Sequence, residues 1–154
     1  MDFQKTLDLA GSLPDSLGPL VADIDGTLTD NQRAIDPRVL PVLRAWPAPV
    51  VIATGKAMPY PVALCEFLGL EPTVIAENGG VGLAGRTGTV QFTGDREAAT
   101  AVRKEYRDRG YSLGWGEANL VNRWRETELA VSRDAPLEPL EAIAETHGLV
   151  VVDT

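Results

Sequence analysis

An alternation constrains this sequence more than any other feature. Short apolar runs at residues 19–25 (PLVADID), 49–55 (PVVIATG) and 73–80 (TVIAENGG) are separated by two segments of helical periodicity. Runs of that length bounded by turn residues read as buried strands. Strands alternating with helices predict a parallel sheet with right-handed crossovers. In such sheets ligands bind outside the carboxyl ends of the strands. All three runs end there in polar residues: Asp23 and Asp25, then Thr54, then Glu77 and Asn78. In the first helical segment Asp36 suits a cap before Pro37, and Val39, Val42, Leu43 and Trp46 share a face. Pro41 predicts a kink near the start of that helix. Leu64, Phe67 and Leu68 line the second helix, and Gly69 suits its carboxyl cap.

The pattern changes after Gly80. VGLAG and TVQFT flank residues 86–88 and predict a hairpin. A helix is expected over 95–109, with Ala99, Val102 and Tyr106 inward and Gly110 ending it. Strands are expected at 128–132 and 149–153, with a helix over 135–147 between them. Residues 1–18 lack clear periodicity and contain Gly11, Pro14 and Gly18, so they read as a loosely attached leader. The division expected is leader 1–18, half of a core 19–83, and a second α/β unit 84–154.

Charge narrows the function classes. The chain has 22 acidic and 14 basic residues, a net of −8. Nucleic acid and anionic membrane surfaces both call for a basic patch, so neither is an expected partner. No apolar run approaches the length of a membrane span, and residues 1–18 have no signal-peptide pattern. A cytoplasmic location follows as an expectation. The lysines are Lys5, Lys56 and Lys104; such an acidic, lysine-poor composition fits a salt-adapted cytoplasm or ordinary acidic solubility. Cys65, the one cysteine, lies in an apolar helical stretch and reads as buried filler.

The chemistry centres on VADIDGTLTDN, residues 21–31. Two carboxylates one residue apart point the same way on the pleat. One carboxylate there can attack phosphorus, while the second helps hold a hard cation or moves a proton. An Asp-Gly turn after a strand is the bland alternative. This segment resembles the first motif of the haloacid dehalogenase superfamily of phosphatases. The resemblance implies Asp23 as nucleophile and Asp25 as general acid/base, with Mg²⁺ bound by the Asp23 carboxylate and the Asp25 backbone carbonyl. VVIATGK, residues 50–56, resembles the second motif, with Thr54 and Gly55 binding the phosphoryl oxygens. AENGG, residues 76–80, is similar to the junction of core and cap in one branch, where Asn78 would face the substrate entrance; a plain glycine hinge is the alternative. NRWRE, residues 122–126, resembles the cap of the archaeal phosphoglycolate phosphatases.

Within that segment Arg123 and Arg125 could fork a substrate carboxylate, or serve as salt-bridge partners of Glu126 and Glu128. Arg123 is taken as the substrate-binding candidate. His147 reads as a packed or dipole-stabilised histidine, and Trp46, Trp115 and Trp124 as packing residues. The resemblance thus implies an α/β fold: a Rossmann-like parallel-sheet core, incomplete, with an inserted α/β cap. It implies a magnesium-dependent phosphatase whose partner is a small phosphorylated metabolite, 2-phosphoglycolate first and sugar phosphates second. A homodimer is compatible with that reading. In the family pattern a lysine, a Gly-Asp pair and a further aspartate come after the cap, and none of these lies within residues 1–154. The chain is therefore expected to be a fragment, poorly stable and nearly inactive. The rivals are a non-catalytic phosphate-binding module and, less compatible with an inserted cap, a receiver-type phosphoacceptor.

Overall fold

The computed structural model describes residues 3–153. Each apolar run becomes a short strand: β1 (Leu20–Ala22), β2 (Val50–Ala53) and β3 (Thr73–Ala76). They pair in parallel, Leu20 opposite Val50 and Ile52 opposite Val74. After β3 the chain turns within Glu77–Gly79 and returns antiparallel as β4 (Val81–Ala84), which pairs with β5 (Gln91–Phe92). One sheet results, in the order β1-β2-β3-β4-β5. The expected hairpin over 81–92 therefore extends the parallel sheet with an antiparallel end.

Among the described residues five α-helices accompany the sheet: α1 (Phe3–Gly11), α2 (Val39–Ala45), α3 (Pro59–Leu68), α4 (Arg96–Asp108) and α5 (Leu137–Thr146). The crossover helices α2 and α3 pack Leu43, Cys65 and Leu68 against Ala22, Ile52 and Val74. Ile52 and Val74 are wholly buried, and each such side chain stabilises the fold by roughly 1.5–3 kcal/mol. α3 starts on Pro59 and ends where Gly69, at φ +71°, turns left-handed.

Three expectations need correction. Residues 3–11, read as part of a loose leader, form α1, which lies against α2 and buries Thr6. Gly11 and Pro14 fall at and beyond its end, so they terminate a helix rather than preclude one. The kink expected at Pro41 has no cause, because α2 begins at Val39 and Pro41 sits in its first turn. A first-turn N–H has no intrahelical partner to lose.

The strands expected at 128–132 and 149–153 do not form. At 149–153 the side chains alternate as in a strand. Leu149 and Val151 pack inward, while Val150 and Val152 are exposed. Among the described residues no ladder partner runs beside them. At 128–132 a side chain takes the place of a neighbouring strand. Asn122 Nδ2 donates to the Ala130 carbonyl at 2.7 Å, and its Oδ1 accepts the Ala130 N–H at 2.7 Å.

The second packed cluster lies between α4 and α5, around Val102, Tyr106, Leu113, Leu140 and Ile143. Asp95 caps α4 by accepting the Ala98 N–H at 2.9 Å, and Gly110, at φ +86°, follows its end. The Tyr106 hydroxyl donates to the Pro136 carbonyl at 2.9 Å, and His147 meets Glu105 at 2.9 Å. Both contacts tie α4 to the α5 segment.

Candidate active site

The site is assembled where β1, β2 and β3 end side by side. Continuing the β1–β2 register sets Asp23 abreast of Ala53, one residue before Thr54. Thr54 is buried, and its N–H donates to the Ile75 carbonyl at 2.9 Å, which locks it to β3. Its Oγ1 accepts the Lys56 N–H at 3.2 Å, so the hydroxyl shapes the turn over Gly55.

After β1 the chain cannot continue as a strand. Gly26 takes φ +78°, a left-handed value that glycine adopts without steric cost. The buried Thr29 staples the loop it creates. Thr29 Oγ1 accepts the Gly26 N–H at 3.2 Å and donates to the Ile24 carbonyl at 3.2 Å. A small turn follows, in which Asp30 Oδ1 accepts the N–H groups of Gln32 and Ala34, and Thr29 bridges Ile35. Apolar Ile24 and Leu28 go into the core, while Asp23 and Asp25 stay exposed at the strand end.

The two carboxylates differ. Asp25 Oδ2 pairs with the Lys56 ammonium, joining the first loop to the second. Among the described residues no hydrogen bond or ion pair engages the Asp23 carboxylate. Asp23 is exposed at a backbone position fixed by the end of β1.

The turn after β3 is strained: Glu77 and Asn78 have φ of +51° and +52°. Such conformations persist where surrounding contacts over-determine them. Here the buried Glu77 carboxylate accepts the N–H groups of Glu126 (3.0 Å) and Thr127 (2.8 Å) and the Thr127 hydroxyl (2.9 Å). The Asn78 amide lies over Gly55, where an added Cβ would sit 2.9 Å from Asn78 Oδ1, and it donates to Glu128 Oε2 at 2.9 Å. Arg125 Nη1 donates to the Gly55 carbonyl at 2.9 Å and pairs with Glu128. Burial pulls the Arg125 guanidinium down from its ordinary value. Arg123 is exposed; Arg125 is the arginine of this segment that reaches the turn after β2.

The sequence profile of haloacid dehalogenase-like hydrolases matches residues 20–91, the stretch that supplies all three strand ends. A phosphoglycolate phosphatase of Haloarcula marismortui is 65% identical over 136 residues, covering 88% of this chain and 60% of that protein. Its Natronomonas pharaonis counterpart is 61% identical over 138 residues, covering 90% of this chain and 61% of the relative. Over residues 20–91 the chain resembles the haloacid dehalogenase-like hydrolases. It spans about 60% of the length of these relatives.

Solved structures agree on the architecture. A crystal structure from Thermoplasma acidophilum superposes with a TM-score of 0.67 at 26% identity, covering 88% of this chain and 60% of that one. A haloacid dehalogenase-like hydrolase from Bacteroides thetaiotaomicron matches with a TM-score of 0.57 at 17% identity, covering 82% and 62%, which bears on fold alone.

Several residues of this site carry no sequence signal of their own. Glu77 looks like one polar residue among several at a strand end, and its partners are 49 and 50 positions away. The Lys56–Asp25 pair spans 31 positions. Arg125 and Glu128 stood as a possible ion pair in the sequence, but their contacts with Gly55 and Asn78 needed the fold.

Proposed function

We propose that this chain carries the nucleophile-bearing part of a phosphatase acting on a small phosphomonoester, 2-phosphoglycolate. The observation behind the proposal is the unengaged Asp23 carboxylate at the end of β1, beside the Thr54–Gly55 turn. The names of the haloarchaeal relatives supply the substrate.

A hard cation suits the donors offered here. The Asp23 carboxylate and the Asp25 backbone carbonyl are both oxygens, and Mg²⁺ uses one or two carboxylates while keeping several waters. Among the described residues no group of three or more potential side-chain ligands converges, so water and the substrate's oxygens would fill the remaining positions. When bound, Mg²⁺ would neutralise charge on the phosphoryl oxygens.

The chain's own groups then divide the work. Thr54 and the Gly55 N–H orient the phosphoryl group. Asp23 Oδ attacks phosphorus, the ester P–O bond breaks, and the leaving oxygen takes a proton from Asp25. An aspartyl phosphate results. Water next adds at phosphorus as Asp25 recovers its proton, releasing phosphate and restoring Asp23. Lys56 holds the Asp25 carboxylate in the resting pair and must release it when Asp25 is protonated. The buried Cys65, its thiol pushed up by burial, stays outside this chemistry and is in keeping with a reducing cytoplasm. Among the described residues no helix is long and apolar enough to cross a membrane.

The test is phosphate release from 2-phosphoglycolate and a panel of sugar phosphates, with and without Mg²⁺. It is run on the chain and on a form joined to the part of the Haloarcula relative that the chain does not cover. Magnesium-dependent release that Asp23→Asn reduces to background is expected in the extended form. Release that survives Asp23→Asn would remove Asp23 from the mechanism, and a preference for sugar phosphates would replace the substrate.

A further inference from the structure

The Glu128 carboxylate is held as a small ligand's carboxylate would be, with one donor for each oxygen. Oε2 accepts from the Asn78 amide at 2.9 Å, and Oε1 pairs with the Arg125 guanidinium. The Arg125 side chain is 10% exposed and that of Glu128 is 27% exposed, so Glu128 is the partner more open to water.

The donors are fixed independently of what they hold. Arg125 Nε donates to the Val121 carbonyl at 3.0 Å and Nη1 to the Gly55 carbonyl at 2.9 Å. From α4, Arg103 Nη2 donates to the carbonyls of Arg125 and Glu128 at 3.2 and 3.4 Å. The Arg103 Nε is buried with no partner among the described residues, a polar cost carried at the spot that holds this segment. An ordinary exposed ion pair is worth little and has no such scaffolding. This one abuts Gly55, the neighbour of Thr54.

We propose that Arg125 and Asn78 form a receptor for a carboxylate on the substrate, which Glu128 occupies as an internal stand-in until substrate displaces it. The proposal rests on reading the Thr54–Gly55 turn as the phosphoryl site. It sets the substrate class as short phosphorylated carboxylic acids, because the receptor touches that turn. The stand-in has a physical reason. A guanidinium this buried is costly to leave without a counter-charge, so it is filled in the resting state. A phosphate ester without a carboxylate leaves Glu128 where it is. An ester with one exchanges carboxylate for carboxylate, while Glu128, already partly exposed, swings into water.

The exchange predicts an effect opposite to that of a merely structural pair. Binding of 2-phosphoglycolate and of ethyl phosphate, similar in size but lacking the carboxylate, is measured by calorimetry on the full chain with Mg²⁺. Glu128→Gln removes the competing charge, so the preference for 2-phosphoglycolate should rise about tenfold. A lysine ammonium in Arg125→Lys cannot hold the Val121 and Gly55 carbonyls and the carboxylate together as the guanidinium does, and the preference should fall toward one. An unchanged or smaller preference in Glu128→Gln would overturn the proposal and leave Glu128 a structural partner. Equal binding of both esters by the unaltered chain would overturn it while leaving the phosphoryl site standing. Binding of neither ester would remove the phosphoryl site and the receptor together. Circular dichroism checks each variant's fold, and if Arg125→Lys unfolds, Glu128→Gln alone decides.

Discussion

Ahead of α2, the Asp36 carboxylate accepts the Arg38 N–H at 2.9 Å and pairs with the same residue's guanidinium. The Arg38 hydrogen bonds hold the Asp36 carboxyl down at about 2, from 3.8. A carboxyl depressed on folding stabilises the native state above its unfolded value and loses that contribution as pH falls through the folded value. The contribution of Asp36 is therefore present above about pH 4 and lost toward pH 2. Asp36→Asn should flatten that part of a plot of urea midpoint against pH and lower the neutral-pH midpoint slightly, since the pair is exposed. An equally steep acid limb in the variant would show that other carboxylates set it. At this scale the strand ends were legible. Apolar runs ending in Asp23, Thr54 and Asn78 brought those residues to one edge because a parallel sheet aligns its carboxyl ends. What pairs with Glu77 was illegible, because hydrogen bonds to residues 126 and 127 depend on a chain return that no local pattern encodes.

Among the elements, α4 was the most readable. Asp95 supplies a cap, Ala99, Val102 and Tyr106 recur on one face, and Gly110 takes the left-handed conformation beyond its end. Asp95→Ala would leave the Ala98 N–H without its acceptor, and caps of this kind contribute about 1 kcal/mol. The expected result is a lowered thermal midpoint with unchanged helical content below the transition. An unshifted midpoint would mean that water serves the amide equally well. The misread strands teach the converse. Period-two alternation at 149–153 is present in the packing, yet a strand exists only with a partner beside it. Residues 128–132 failed for a different reason: the Asn122 amide, reached from eight positions earlier, bonds both backbone groups of Ala130. Hydrophobic patterning reports which side chains turn inward and is silent on who takes the backbone bonds.

At the scale of the molecule two packed clusters, one on the sheet and one between α4 and α5, meet through a narrow joint. Glu77 accepts from residues 126 and 127 on one side of it, Arg125 reaches Gly55 on the other, and the Tyr60 and Trp124 rings meet edge to face at 6.1 Å. Gly80 is the tightest point, since a Cβ there would run into the Thr127 side chain and come within 3.1 Å of the Glu77 carbonyl. The conformation of Gly80 is an ordinary helical one, so Gly80→Ala acts through that collision and not through backbone strain. Thr127 must move, and its hydroxyl and N–H then leave the Glu77 carboxylate. The carboxylate keeps the Glu126 N–H but loses two donors, and an unsatisfied buried polar group costs about 1–3 kcal/mol, more when charged. That loss falls on the joint and withdraws the support that the sheet lends the α4–α5 cluster. Hydrogen exchange should therefore show α4 and α5 amides losing protection together while β2 and β3 keep theirs, and the melting transition should broaden. A uniform loss across both clusters would mean that they unfold as one unit and that the joint is no weaker than the cores it connects.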